Sequence, residues 1–323
     1  MSPSPAKFSF LILTHPPPTK RKEKMEDDDY EYLDNYGKMR ARFVAGQHLI
    51  HLSIFDSDLA QLQALIERKG FDINDNKSGE AAPLMTAIIC DNLEAARILL
   101  DAGADPLYPH PDGLGCRTPL STAASLGRFE ITQLMWTRIP LSRLSEHENS
   151  FENESCLANA ATYGRTAVLE YLLDEWFDRI GWSTSALDDA LMSAVLYGWH
   201  VHAATLLLER VKTYTAERLQ AALFAAVHFK NVAPRAITNP EYQGVDFFNQ
   251  ELLVKRLIES GSFDPNMCKR GRPLLHWAAD AVNLVGALRA VLTKGGTYSP
   301  PNAFPQRDFF NPTMSANIKL TYS

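Results

Sequence analysis

Cysteine is scarce in this chain: only Cys90, Cys116, Cys156 and Cys268 occur, and no two of them form a CxxC pair. Such a low density excludes a disulfide-stapled secreted scaffold, and reduced thiols in a cytoplasmic or nuclear protein are expected. Excess positive charge is also missing. The formal net charge of -6 leaves no overall basic field, so direct nucleic-acid binding is not expected. No apolar run reaches the roughly 18 residues of a membrane span. The short run FSFLIL (8–13) leads into HPPPTKRKEK without a small-residue cleavage site, so neither secretion nor membrane association is expected. Also lacking are a GxxxxGK[ST] phosphate loop, GxGxxG, HExxH and GxSxG, so the sequence offers no catalytic constellation. No cofactor, metal or small-molecule substrate is expected.

What is present is apolar content: 46% of 323 residues, enough to bury a sizeable core as two compact domains or as one elongated array. Residues 1–40 stand apart. They pass from proline-rich (Pro3, Pro5, Pro16 to Pro18) to basic (Lys20, Arg21, Lys22, Lys24) to acidic (Glu26 to Asp29), the composition of a disordered tail. KRKEK at 20–24 reads either as a nuclear import signal or as a merely solvated run.

From residue 41 to 296 a frame recurs. Taking Leu120 as position zero places Ala123 and Ala124 at +3 and +4, Gly127 at +7, Phe129 at +9 and Leu134 at +14. Leu84, Leu157 and Leu191 open similar copies, and Ile50, Leu223 and Leu275 open weaker ones. The successive intervals are 34, 36, 37, 34, 32 and 52 residues, and treating 231–249 as an insertion reduces the last to 33.

Each recurring residue type has a physical reason. Proline in a first helical turn gives up only an amide that would be unpaired anyway. Alanines at +3 and +4 let neighbouring helices approach closely. Glycine at +7 permits the left-handed backbone that ends a short helix, and the apolar group at +14 to +16 gives a second helix its buried stripe. One such pair cannot cover its own apolar face, so the unit is stable only when stacked on others.

The period and the motifs Thr118-Pro119-Leu120, Pro83-Leu84, Leu275-His276-Trp277-Ala278-Ala279 and Gly103-Ala104-Asp105 resemble the ankyrin repeat. Gly70-Phe71-Asp72-Ile73-Asn74 and Phe263-Asp264-Pro265-Asn266 are looser echoes of the closing turn. The resemblance implies an all-α fold, an ankyrin-repeat α-solenoid of about seven repeats with short turns or hairpins between helix pairs. Copies three to five depart from it, with Ile139-Pro140, Trp176 and Arg210 where the closing turn should stand. His276 occupies the family's usual histidine position, which implies a hydrogen bond between repeats. His200 and His202, two apart, would point to nearly opposite sides of a helix and could not share a metal ion.

Candidate binding residues follow from the same frame. By the resemblance, +6 faces the concave groove, and its occupants are Asp56, Cys90, Leu126, Tyr163, Tyr197, Phe229 and Ala281. The apolar members Leu126, Tyr163, Tyr197 and Phe229 read either as a protein-binding strip or as rings packed under the neighbouring hairpins. Trp136 and Trp277 fall on core-facing positions. Trp182 and Trp199 lie in a connection and just after a glycine, which makes them candidate contacts. The insertion adds Tyr242, Phe247 and Phe248. Residues 297–323, with Phe304, Phe309 and Phe310, either fold over the apolar last helix or leave it for a partner. The reading is a non-catalytic scaffold or adaptor that binds one or more proteins through its concave face. The alternative is a nuclear transcriptional co-regulator, for example of a metabolic pathway.

Overall fold

A computed structural model describes residues 48–68, 72–74, 82–109, 118–149, 155–196, 200–227, 247–280 and 285–297. The chain falls into two compact units, residues 1–156 and 157–323.

The first unit is built from helix pairs: α1 (Leu49–Phe55) with α2 (Leu59–Ile66), α3 (Pro83–Ile89) with α4 (Leu93–Asp101), and α5 (Pro119–Leu126) with α6 (Phe129–Arg138). A further helix, α7 (Leu141–Glu148), follows. The first helices α1, α3 and α5 pack in one row, and α2, α4 and α6 in a second row against them. The sequence frame explains both rows. Ile50, Leu84 and Leu120 at position zero are buried, as are Ala87, Ala123 and Ala124, so small side chains sit where the helices approach. Helix starts are set locally. Proline opens α3 and α5, and Thr118 and Ser121 form a reciprocal capping box at α5. At +7 the chain turns left-handed in every described copy of this unit: Ser57 (φ 55), Asp91 (φ 53) and Gly127 (φ 70).

The second unit repeats the plan. Its helices are α8 (Cys156–Thr162, whose first residue belongs to the first unit), α9 (Thr166–Asp174), α10 (Phe177–Ile180), α11 (Thr184–Leu196), α12 (Val201–Arg210), α13 (Ala216–Val227) and α14 (Phe247–Gly261). A two-residue hairpin, β1 (Cys268–Lys269) and β2 (Arg272–Pro273), precedes α15 (Leu274–Asp280) and α16 (Val285–Thr293). Helices α11, α13 and α15 form one row, and α9, α12, α14 and α16 the other. The three irregular copies resolve differently. After Pro140, an N-cap residue that cannot continue α6, the chain forms α7. After Trp176 it forms the single turn α10, closed by Gly181 (φ 64). After Arg210 it runs without helix over 211–215. Phe247 and Phe248, expected in a loop, lie in the first turn of α14.

Within each unit a polar side chain just past the +7 turn clamps the preceding repeat. Asn92 donates to the Ile54 carbonyl, and Arg128 to the carbonyls of Ile88 and Ile89. His200 Nε2 donates to the Thr162 carbonyl, while Gln250, early in the second helix of the sixth copy, donates to the Ala226 carbonyl of its own first helix. These carbonyls lie at the ends of first helices; those of Ile54 and Ile88 also accept the amides of Ser57 and Asp91, and the side chain of the next repeat adds a second donor there. Gln250 also accepts the Ala287 amide at 3.1 Å, tying α13, α14 and α16. On the second-helix row an acid of one copy meets a base of the next: Asp101 with Arg138 at 2.7 Å, Asp174 with Arg210 at 2.6 Å, and Glu259 with Lys294.

Candidate interaction surface

The clamps fix the first helices, and those helices present the +6 position. In the first unit Asp56 is exposed, while Cys90 and Leu126 are each only 8% exposed, so Leu126 lies largely within its own unit. Tyr163 is half-buried, just before Gly164. Trp182, in the connection between α10 and α11, is buried. Tyr197, Trp199, Phe229, Ala281 and Tyr242 lie outside the described residues, as do residues 1–47 and 298–323. Trp136 is buried as expected, whereas Trp277 is half-buried and lies edge-on to Phe224.

His276 is buried, and a second histidine, which the sequence reading passed over, stands at the same frame position. His51, at the same frame position as His276, is buried and shares a 2.8 Å hydrogen bond with Thr86 Oγ1 of the next repeat. Burial, helped by neighbouring His48, lowers its pKa to about 4, so the ring is neutral at physiological pH. His200 caps α12, and burial lowers its pKa too, while His202 on the same helix is exposed. Gly164 makes room for His200: a methyl group there would stand 2.5 Å from His200 Nδ1.

One cluster carries reactive side chains. Glu148 is buried, accepts the Cys156 amide at 2.7 Å through Oε2, and accepts His147 Nδ1 at 3.0 Å through Oε1. A catalytic cysteine needs a lowered pKa. Here burial, and then the carboxylate of Glu148, raise the Cys156 thiol well above its usual range, so it holds its proton. The arrangement caps α8 with a buried acid. In the second unit a cleft of about 370 Å³ opens beside α12 and α14, lined among others by Leu208, Val211, Lys212, Tyr214 and Arg256. Among the described residues no group of three or more potential metal ligands gathers, and no helix is long and apolar enough to cross a membrane.

Paired helices stacked in two rows, clamped copy to copy, define an α-solenoid repeat protein. The ankyrin-repeat family matches residues 81–110, which hold α3, α4 and the Gly103-Ala104-Asp105 turn. The fold is similar to the human ASB11 ankyrin repeat domain, at 18% identity with a TM-score of 0.51, covering 77% of this chain and 99% of that one. It is also similar to the ankyrin repeat domain of Bcl-3, described as a unique member of the IkappaB protein family, at 16% identity and a TM-score of 0.52. That match covers 76% of this chain and 97% of the other. No curated protein sequence matches the chain significantly. Ankyrin repeats generally serve as non-catalytic protein-binding modules.

Proposed function

We propose that this protein is a non-catalytic interaction scaffold that binds a partner protein on the groove-lining side of its first helices and on the turns beside them. The supporting observation is the clamp series Asn92, Arg128 and His200, which ties each of these copies to the first helix of the copy before it within its unit. A surface held in advance loses little conformational entropy on binding. The test is crosslinked capture from cell extract by the full chain and by the variant Tyr163→Ser, Tyr197→Ser, Phe229→Ser. Loss of capture with an unchanged melting temperature is the expected result. A collapse of the fold would reassign those rings to the core. The nuclear reading draws on KRKEK at 20–24 and the acidic run after it. Deleting 20–24 should move a nuclear co-regulator to the cytoplasm and leave a cytoplasmic adaptor where it was.

A further inference from the structure

The chain is acidic overall, yet one short hairpin gathers three cations. In Lys269-Arg270-Gly271-Arg272, Lys269 pairs with Arg272 across β1 and β2, and Arg270 and Gly271 form the turn. Both turn residues have positive φ, 54° and 72°. A two-residue turn of that hand favours asparagine or aspartate before glycine. Arginine there is strained, and nothing in the turn itself calls for it. A strained residue kept at an exposed tip points to a use outside the fold.

The cations are held in place from below. Lys269 Nζ lies 4.9 Å above the Phe224 ring, and the Arg272 guanidinium 5.1 Å above that of Trp277. The two rings meet edge to face, and Trp277 Nε1 donates to the Arg272 carbonyl at 3.2 Å. Asn266 then staples the base of the hairpin to the end of α16. Its Nδ2 donates to the Gly295 carbonyl, and its Oδ1 accepts the amide and hydroxyl of Thr297. Lys269 and Arg270 are exposed and make no ion pair among the described residues. The result is a rigid finger that presents positive charge.

We infer that the hairpin 268–273 is a docking finger for an acidic segment of a partner protein. The inference rests on the scaffold reading and names the partner's chemistry. Charge complementarity selects the occupant: Glu and Asp side chains can pair with Lys269 and Arg270. A nucleic acid fits less well, because three cations on a chain of net charge -6 offer few phosphate contacts against a repelling background.

The experiment measures binding of a fluorescein-labelled Glu-rich peptide to the full chain by anisotropy at low salt. Wild type should bind, and K269E/R270E should weaken binding by about tenfold or more. R270G removes one charge while relieving the turn, so it should weaken binding severalfold without lowering the melting temperature. Equal binding by K269E/R270E, or no peptide binding by wild type, overturns the inference. Preference for a DNA oligonucleotide of equal charge over the peptide overturns the choice of partner. Crosslinked protein capture that survives charge reversal while peptide binding does not depend on these residues sinks the finger and spares the scaffold. Peptide binding that depends on them, from a chain that captures no protein, does the reverse.

Discussion

Arg128 reaches back into the preceding repeat and donates to the Ile88 and Ile89 carbonyls at 3.3 and 3.2 Å while pairing with the Asp91 carboxylate at 3.3 Å. The guanidinium is buried, and its fork matches the divergent carbonyls at a helix end as an ammonium could not. Arg128→Met keeps the aliphatic stem but takes the guanidinium from both carbonyls, leaving that of Ile88 only the Asp91 amide. The expected loss is about 2 to 3 kcal/mol, read as a lower urea midpoint for the first unit, with Arg128→Lys recovering only part. A variant as stable as wild type would mean that water replaces the guanidinium freely.

His51 makes the first unit sensitive to pH. Its folded pKa of about 4 lies below the ordinary histidine value of 6.5, so the unfolded chain binds the proton more readily. The stability from this residue is therefore complete above pH 6.5, declines as pH falls through that value, and is exhausted near pH 4. The difference corresponds to roughly 3 kcal/mol. The protection factors of amides in α1 and α3, which are corrected for the intrinsic pH dependence of exchange, should fall between pH 6.5 and 4, and the slope should flatten in His51→Leu, which carries no titrating ring. Carboxylates elsewhere contribute equally to both proteins. An identical slope in the variant would show that another group sets the pH response.

Local signals explain what the sequence makes legible. Leucine at zero, alanine at +3 and +4, and glycine or a tolerant residue at +7 each act within their own turn, and the structure buries or bends them accordingly. The clamps were not legible by residue type, since an amide, a guanidinium and an imidazole share no letter, only the ability to donate. His51 was hidden because its copy has Ser53 and Ile54 in place of the alanines, although its frame position equals that of His276. Asp72-Ile73-Asn74 and Asp264-Pro265-Asn266, weak as echoes of a closing turn, share one geometry. In each, the aspartate accepts the asparagine amide and the asparagine side chain bonds the next repeat. The burial of Leu126 and Trp182 depends on what packs over them, which no frame position reports.

Two glycines with nearly the same backbone angle separate backbone strain from crowding. Gly164 has φ 62 and Gly181 φ 64, but an added methyl meets His200 at the first and nothing within 4 Å at the second. Gly181→Ala should therefore cost about 1 to 2 kcal/mol, the penalty of a left-handed alanine. Gly164→Ala should cost more, because it also displaces His200 from the Thr162 carbonyl. The distinguishing measurement is the imidazole signal of His200 by NMR. Its pKa should rise toward the ordinary value in Gly164→Ala and stay put in Gly181→Ala, since burial is what lowers it.

Asn266 anchors the hairpin without carrying charge, so it separates rigidity from electrostatics. Asn266→Ala removes the bonds to Gly295 and Thr297 and should destabilise the finger locally by about 1 to 3 kcal/mol, with faster exchange of the Leu274 amide that closes onto the Met267 carbonyl. The cations remain, so the association rate of the Glu-rich peptide should hold while its dissociation quickens. If both rates stay at wild-type values while exchange accelerates, the peptide needs only the charges, and the aromatic seat formed by Phe224 and Trp277 is what keeps them in position.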